Sequence, residues 1–260
     1  MVKVIPWPPL VLAGIRSGIT AIVIFCYDRP SHLRFGKYTL GGAISYAIMV
    51  IFYVLANKMT TAGNAILIQY TAPVFVAFFG YSFLGEKSTK MDWITISLVL
   101  VGLCLFFFEK LSFISFWGNI AALISGFGFA GTILLMRKQK QGRPIDTVLL
   151  GNLLTFIICI PFVIYDVTFD LKPWIGITYL GIIQLGVSYI IFSTAIKYVS
   201  ALDAIIYPVI EPIFNPILAF IFIGEMMSGN AQIGGALVLI GVIGRGLLQA
   251  AQTKQGRIHG

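Results

Sequence analysis

Nine apolar runs, each close to the length needed to cross a lipid bilayer, constrain this chain more than anything else in it. They cover approximately Pro8–Tyr27, Tyr38–Ala56, Gly63–Leu84, Trp93–Phe108, Phe113–Met136, Thr147–Tyr165, Trp174–Ile196, Ala204–Gly224 and Ala231–Ala250. A helix needs about 20 mostly apolar residues to traverse the hydrocarbon core. The runs are continuous rather than alternating, and in lipid only a helix satisfies its own backbone over such a stretch. The sequence therefore predicts an all-α polytopic membrane protein with nine transmembrane helices and short connections. Composition agrees. Only 11% of the 260 residues are charged and 58% are hydrophobic, where a soluble domain carries about 25% charged residues. Three cysteines cannot build a disulfide framework. The first run reads as a span and not as a cleaved signal peptide, because Arg16 interrupts its middle. Trp7, Trp93, Trp117 and Trp174 fall near span starts, where interfacial aromatics belong.

Lys and Arg set the orientation. With the loop after the first run in the cytoplasm, 13 of the 18 basic residues lie inside, including Arg137, Lys138, Lys140, Arg143 and Arg245. Lys3, Lys58, Lys110 and Lys172 lie outside, and Arg16 lies within the membrane. This positive-inside bias predicts a multi-pass protein of the plasma or inner membrane with a cytoplasmic C-terminus. The net charge of +8 is then a topological signal. The basic stretch 137–143 reads as a cytoplasmic loop, and no nucleic-acid partner is expected.

The chain also repeats itself. Residues 56–102 align without a gap on 195–241 at a constant offset of 139, pairing Lys58 with Lys197, Pro73 with Pro212, and Gly85-Glu86 with Gly224-Glu225. An odd number of spans separates the copies, so the repeat is inverted, an architecture common among secondary transporters. The halves are placed at 1–110 and 111–260. Five helices are visible in the second half and four in the first, so the first helix of the first repeat is expected upstream of Met1.

Paired five-helix repeats, an Arg early in the second helix (Pro9-Leu-Val-Leu-Ala-Gly-Ile-Arg16) and a Pro midway along the fourth helix of each half resemble the drug/metabolite transporter superfamily. More narrowly, the chain resembles the EamA-type ten-helix transporters. Phe83-Leu-Gly-Glu86, Phe222-Ile-Gly-Glu225 and the Gly-rich Gly234–Gly241 carry the same likeness. The resemblance implies a secondary transporter of amino acids, related metabolites or drugs, often working outward, by alternating access.

Read residue by residue, Glu211 is the one acid in mid-membrane, within Tyr207-Pro-Val-Ile-Glu-Pro-Ile-Phe-Asn-Pro216. Tyr207, Glu211 and Asn215 fall at i, i+4 and i+8, a polar stripe on an apolar helix. Pro208, Pro212 and Pro216 each remove a backbone hydrogen bond to the residue four back. The carbonyls so freed are tolerated where they line a wet cavity, and there they can supply ligand oxygens. A carboxylate at that depth costs roughly 2.5–3.5 kcal/mol and is a functional candidate by default; the competing reading is a structural bond to a neighbouring helix. Its hold on a proton changes with exposure to either side, so protons are expected as a coupling ion. Arg16 either pairs with Glu211, receives a substrate carboxylate, or snorkels to the external interface along its stem. Gln69 and Tyr70, just before Pro73, are cavity candidates. Gln184 shares a face with Ser188, with Tyr189 beside it, and Tyr46 and Tyr53 stand seven apart. Asn64 and Asp203 follow Thr61 and Ser200 at helix starts, where capping explains them.

Gly126-Phe-Gly-Phe-Ala-Gly131 matches a dinucleotide fingerprint in form only: it lies inside a span with no preceding strand. Small residues there suit close helix approach. No P-loop, metal cluster or catalytic constellation is evident, so no cofactor and no enzymatic activity are expected. The expected partners are the bilayer, a small-molecule substrate, protons and, as an open possibility, a second copy in a homodimer. The rival readings are an integral membrane enzyme acting on lipids and a non-transporting subunit of a membrane complex.

Overall fold

The computed structural model describes residues 5–29, 35–111, 115–166, 171–214 and 228–258. Among these the secondary structure is helical throughout. Helices α1 (Pro9–Tyr27) and α2 (Lys37–Met59) are followed by the pair α3 (Ala62–Gln69) and α4 (Ala72–Leu84) and by α5 (Lys90–Phe106). Then come α6 (Phe116–Lys138), α7 (Pro144–Asp166) and a span composed of α8 (Leu171–Tyr179), a π-helical stretch Leu180–Val187 and α9 (Ser188–Ala195). The chain continues through α10 (Ala201–Ile206), a tighter turn Tyr207–Val209 and helical residues 210–214, and ends in α11 (Gly229–Ile258).

Seven of the predicted spans meet described helices that are long and apolar enough to cross a membrane. The fourth corresponds to α5, at 17 residues. Of the eighth, the helical residues from Ala201 to Phe214 are described. Large apolar side chains such as Ile22, Phe25, Ile157, Ile164 and Leu247 point outward, as lipid-facing helices require and as soluble proteins avoid. The protein is a polytopic all-α membrane protein.

Local chemistry sets the helix ends. Thr61 and Ser200 cap α3 and α10, accepting from the Asn64 and Asp203 backbone N–H groups at 3.1 Å each. Thr89 and Asp92 form a reciprocal capping box that starts α5. Gly85, with φ of 77°, closes α4 in the left-handed conformation that glycine adopts without a Cβ penalty.

Helix α2 packs on α6 and α7, α1 packs on α7 and the π-helical stretch, and α5 pairs with α11. The glycine run of α6 performs the close approach expected of it. A Cβ on Gly128 would stand 2.8 Å from the Met49 backbone nitrogen, and one on Gly131 would meet the Ser45 hydroxyl. Gly102 and Gly234 do the same for α5 and α11, where each glycine faces the other helix's backbone. The tryptophans divide. Trp117 is 68% exposed at its helix start, whereas Trp7 is 2% exposed and packs edge-on against Trp174, with ring centroids 5.3 Å apart. Trp7 is thus a core residue and not an interfacial one.

The connections sort to two ends. Lys58 donates to the Ile5 carbonyl, Ser115 to that of Met59, and Thr60 to Asn119. At the other end Arg143 meets Asp28, Lys138 donates to the Phe83 carbonyl, and Arg137 reaches both Glu86 and the 196–197 turn. This partition follows the alternation of spans read from the sequence.

Candidate functional site

Two interrupted helices meet at the centre of the bundle. The first stops at Gln69 and restarts at Ala72, because Pro73 offers no N–H to the Gln69 carbonyl. That carbonyl faces Gly126 of α6, whose missing Cβ would lie 2.9 Å away. The second loses its α-helical winding at Tyr207–Val209, where Pro208 and Pro212 withdraw two donors. The Pro208 carbonyl accepts a 3.1 Å hydrogen bond from the Tyr70 hydroxyl. A carbonyl that the sequence suggested for a ligand is therefore held by a protein donor, and each break is locked to the other.

A third irregularity lies opposite. The π-helical stretch Leu180–Val187 widens the turn, and its Gly181 carbonyl accepts from the Thr20 hydroxyl at 2.9 Å. Single-turn π segments are frequent at functional sites. Here the stretch brings Gln184 and Leu185, with Ser188 and Tyr189 just beyond, to the wall of a cavity.

That cavity has a volume of about 530 Å³, within the ~300–1,000 Å³ range of small-molecule sites. Arg16, Gln69, Tyr70, Gln184, Tyr189, Pro208, Glu211 and Pro212 all line it. Ser188 and Tyr53 line it too, with Met49, Val50 and Phe129 supplying apolar wall. Glu211 is exposed to the open space, with the Gln184 amide beside its carboxylate. The Gln69 amide donates to the Ser125 hydroxyl at 2.8 Å, and Ser125 in turn donates to the Met49 carbonyl at 2.8 Å. The Tyr189 ring stands edge-on to Tyr46, centroids 5.1 Å apart.

Not every predicted residue joins. Tyr207 does not line the cavity; it turns toward Asp203, Arg245 and Gly246. The i, i+4 stripe with Glu211 assumed 100° per residue. Three residues of the tighter 207–209 turn, at about 120° each, rotate Tyr207 away from Glu211 by about 60° more. Pro73 is buried in the first turn of α4. Asn215 and Pro216 lie outside the described residues, as does Gly224-Glu225.

Arg16 does not snorkel. It is 2% exposed, its Nε has no hydrogen-bond partner, and no carboxylate lies within ion-pair distance of it among the described residues. The titratable side chains around it are Tyr46, Tyr53 and Tyr189. Glu211 faces the same cavity without pairing to it. Among the described residues the chamber thus offers one cation, one carboxylate, amides and hydroxyls on an apolar and aromatic wall, suited to holding an amphipathic organic solute. Among the described residues no three His, Cys, Asp or Glu side chains gather to hold a metal.

Met49, Val50 and Phe129 carried no sequence signal of their own, because in helices apolar on every side nothing separates a cavity-facing residue from a lipid-facing one. The charged clusters at the cytoplasm-assigned end were legible only as single charges near span ends, with Asp203 read as a helix-start residue. In the structure Arg245 bridges Asp203, with Nε 2.6 Å from Oδ1, and Asp92. Arg137 binds Glu86, whose other oxygen accepts from the Ala201 N–H at 2.8 Å.

Residues 2–108 and 116–245 match the EamA-like transporter family. An uncharacterized transporter of Archaeoglobus fulgidus is 28% identical over 233 residues, covering 87% of this chain and 82% of its own length. The threonine/homoserine exporter RhtA of Escherichia coli (strain K12) is 21% identical over 259 residues, covering 94% of this chain and 83% of its own. A protein of known crystal structure shares the fold with a TM-score of 0.76 at 18% identity, over 91% of this chain and 88% of the other. The matched segments take in most of the sequence, and the chain belongs to the EamA-like transporter family of multi-pass membrane transporters.

Proposed function

We propose that this transporter is a secondary exporter of a small organic metabolite, working by alternating access through the central cavity. The observation that carries the reading is the cavity itself: Arg16, Gln69 and Tyr70 reach it from residues 1–110, and Gln184, Tyr189 and Glu211 from residues 111–260. A chamber whose walls come from both halves changes shape when one half rocks against the other. The Arg137–Glu86 and Arg245–Asp92 pairs also cross between the halves, at one end of the bundle. They suit a gate that holds that end shut in one state and parts in the other.

We place that end, and the C-terminus, on the cytoplasmic side of the cell membrane, from the bias of Lys and Arg. Glu211 is the proton carrier of the scheme, a carboxylate facing the cavity that both halves line. The exporters named RhtA among the relatives make threonine and homoserine the first solutes to test.

The test is efflux of labelled threonine, homoserine and a wider metabolite panel from proteoliposomes with an imposed proton gradient. Gradient-dependent flux is expected, and Glu211→Gln should abolish it while the protein still inserts and purifies. Normal gradient-driven flux from that variant would remove Glu211 as the carrier. Absence of flux for the whole panel would remove transport of such metabolites.

A further inference from the structure

Among the described residues, no carboxylate pairs with the guanidinium of Arg16. A buried charge left without a partner is strongly unfavourable, and arginine does not escape by losing its proton. Inside a membrane such a residue is retained when it serves a pathway or a ligand. Arg16 is 2% exposed, yet it lines the cavity, and Nε is unpartnered. Tyr46, one of the tyrosines around it, is fully buried with the Asn152 side chain beside its hydroxyl, and it offers the guanidinium no opposite charge. The unpartnered polar group at the chamber wall is therefore the guanidinium itself. Glu211, which also lines the cavity, has the Gln184 amide beside it and is not paired to Arg16.

The planar fork of a guanidinium matches a carboxylate through two parallel hydrogen bonds. We propose that Arg16 is the anion subsite of this cavity and that its ligand is a solute bearing a single carboxylate on an apolar or aromatic body. The inference rests on the reading of the cavity as the transport site. One cation balances one carboxylate, whereas a phosphate monoester would bring nearly two negative charges to it. Met49, Val50, Phe129 and Leu185 give the body of the solute its apolar bed.

The experiment compares matched acids and amides on the purified protein: L-threonine with L-threoninamide, L-phenylalanine with L-phenylalaninamide, and phenyl phosphate as the competing anion. Binding is read by thermal stabilisation, and movement by counterflow in proteoliposomes. At least one acid should bind more tightly than its amide by about tenfold or more, the span expected when a charge-assisted hydrogen bond is lost. Arg16→Gln should remove that difference and Arg16→Lys should restore part of it. If Arg16→Gln does not fold, the acid-to-amide ratio on the unaltered protein decides alone. Equal binding of acids and amides, no binding by any acid, preference for phenyl phosphate, or acid binding unchanged in Arg16→Gln would each overturn the subsite. Acids that bind but never move would leave the subsite standing and overturn transport instead. Acids and amides that move alike would do the reverse.

Discussion

Arg137 Nε lies 2.9 Å from Glu86 Oε1, an ion pair that joins the end of α6 to the turn after α4. The Arg137 side chain is only 12% exposed and that of Glu86 28%. The same guanidinium donates to the Ile196 and Lys197 carbonyls at 3.0 and 2.8 Å, and Glu86 accepts from the Ala201 N–H. One arginine thus ties three connections together at one end of the bundle.

Replacing Arg137 by Ala strands a half-buried carboxylate and two carbonyls, and should lower stability by about 2 kcal/mol or more, given what hydrogen bonds to charged groups contribute. Glu86→Gln keeps the shape and should lose about half of that. Thermal unfolding of the purified variants checks both, and a double-mutant cycle isolates the pair. Additive losses would mean that the two residues do not act together.

Tyr70→Phe removes the donor to the Pro208 carbonyl. An unsatisfied buried carbonyl costs about 1–3 kcal/mol, and the two helix breaks lose their mutual lock. A lower melting temperature is expected, together with an altered transport rate. A variant that melts with the native protein and transports at its rate would show that water replaces the hydroxyl at no cost.

Gly234→Val should be among the most damaging substitutions in α11. Its side chain would enter the Gly102 carbonyl and the Phe106 backbone, which cannot move aside. A loss of about 3 kcal/mol is expected from overpacking of this kind. Gly244 has nothing within 4 Å of a would-be Cβ. Gly244→Ala should therefore be neutral or slightly stabilising, through helix propensity. Yield of monodisperse protein and its melting temperature separate the two, and equal behaviour would contradict the proposed α5–α11 contact.

Asp92 lies outside the membrane, at the start of α5. Burial works against its charge, but the Thr89 backbone N–H and Arg245 outweigh that and hold the carboxyl below its ordinary value. A group lowered on folding contributes stability above its unfolded value, near pH 4, and loses it as the pH falls through the folded one. Stability should therefore decline as the pH drops below about 4. Asp92→Asn should be less stable at neutral pH and should show a flatter acid limb. Parallel limbs for the two proteins would dismiss Asp92 as the group responsible.

Much of this was legible before any fold was known. Run length and continuity predicted the spans because lipid offers the backbone no other partner, and the interruption at Pro73 followed from its missing N–H. Glu211 stood out because a carboxylate is conspicuous in an apolar helix. What misled was periodicity: Tyr207 was placed on the face of Glu211 by ideal winding, and the prolines that made the segment interesting also changed its winding. The π-helical turn at Leu180–Val187 left no signature in residue type.

The sequence by itself determined that this chain is helical, membrane-spanning and internally repeated, since those properties depend on local composition and spacing. Only the tertiary structure decided which polar groups meet. Arg16 had three open readings as a residue in a run; packed, it is a buried cation beside a cavity and apart from Glu211. Arg245 and Asp92 were charges assigned to the cytoplasmic side, and Asp203 a helix-start residue, until the fold joined them. Pairing depends on helix rotation and close approach, which helices apolar on every face do not encode in their hydrophobic pattern.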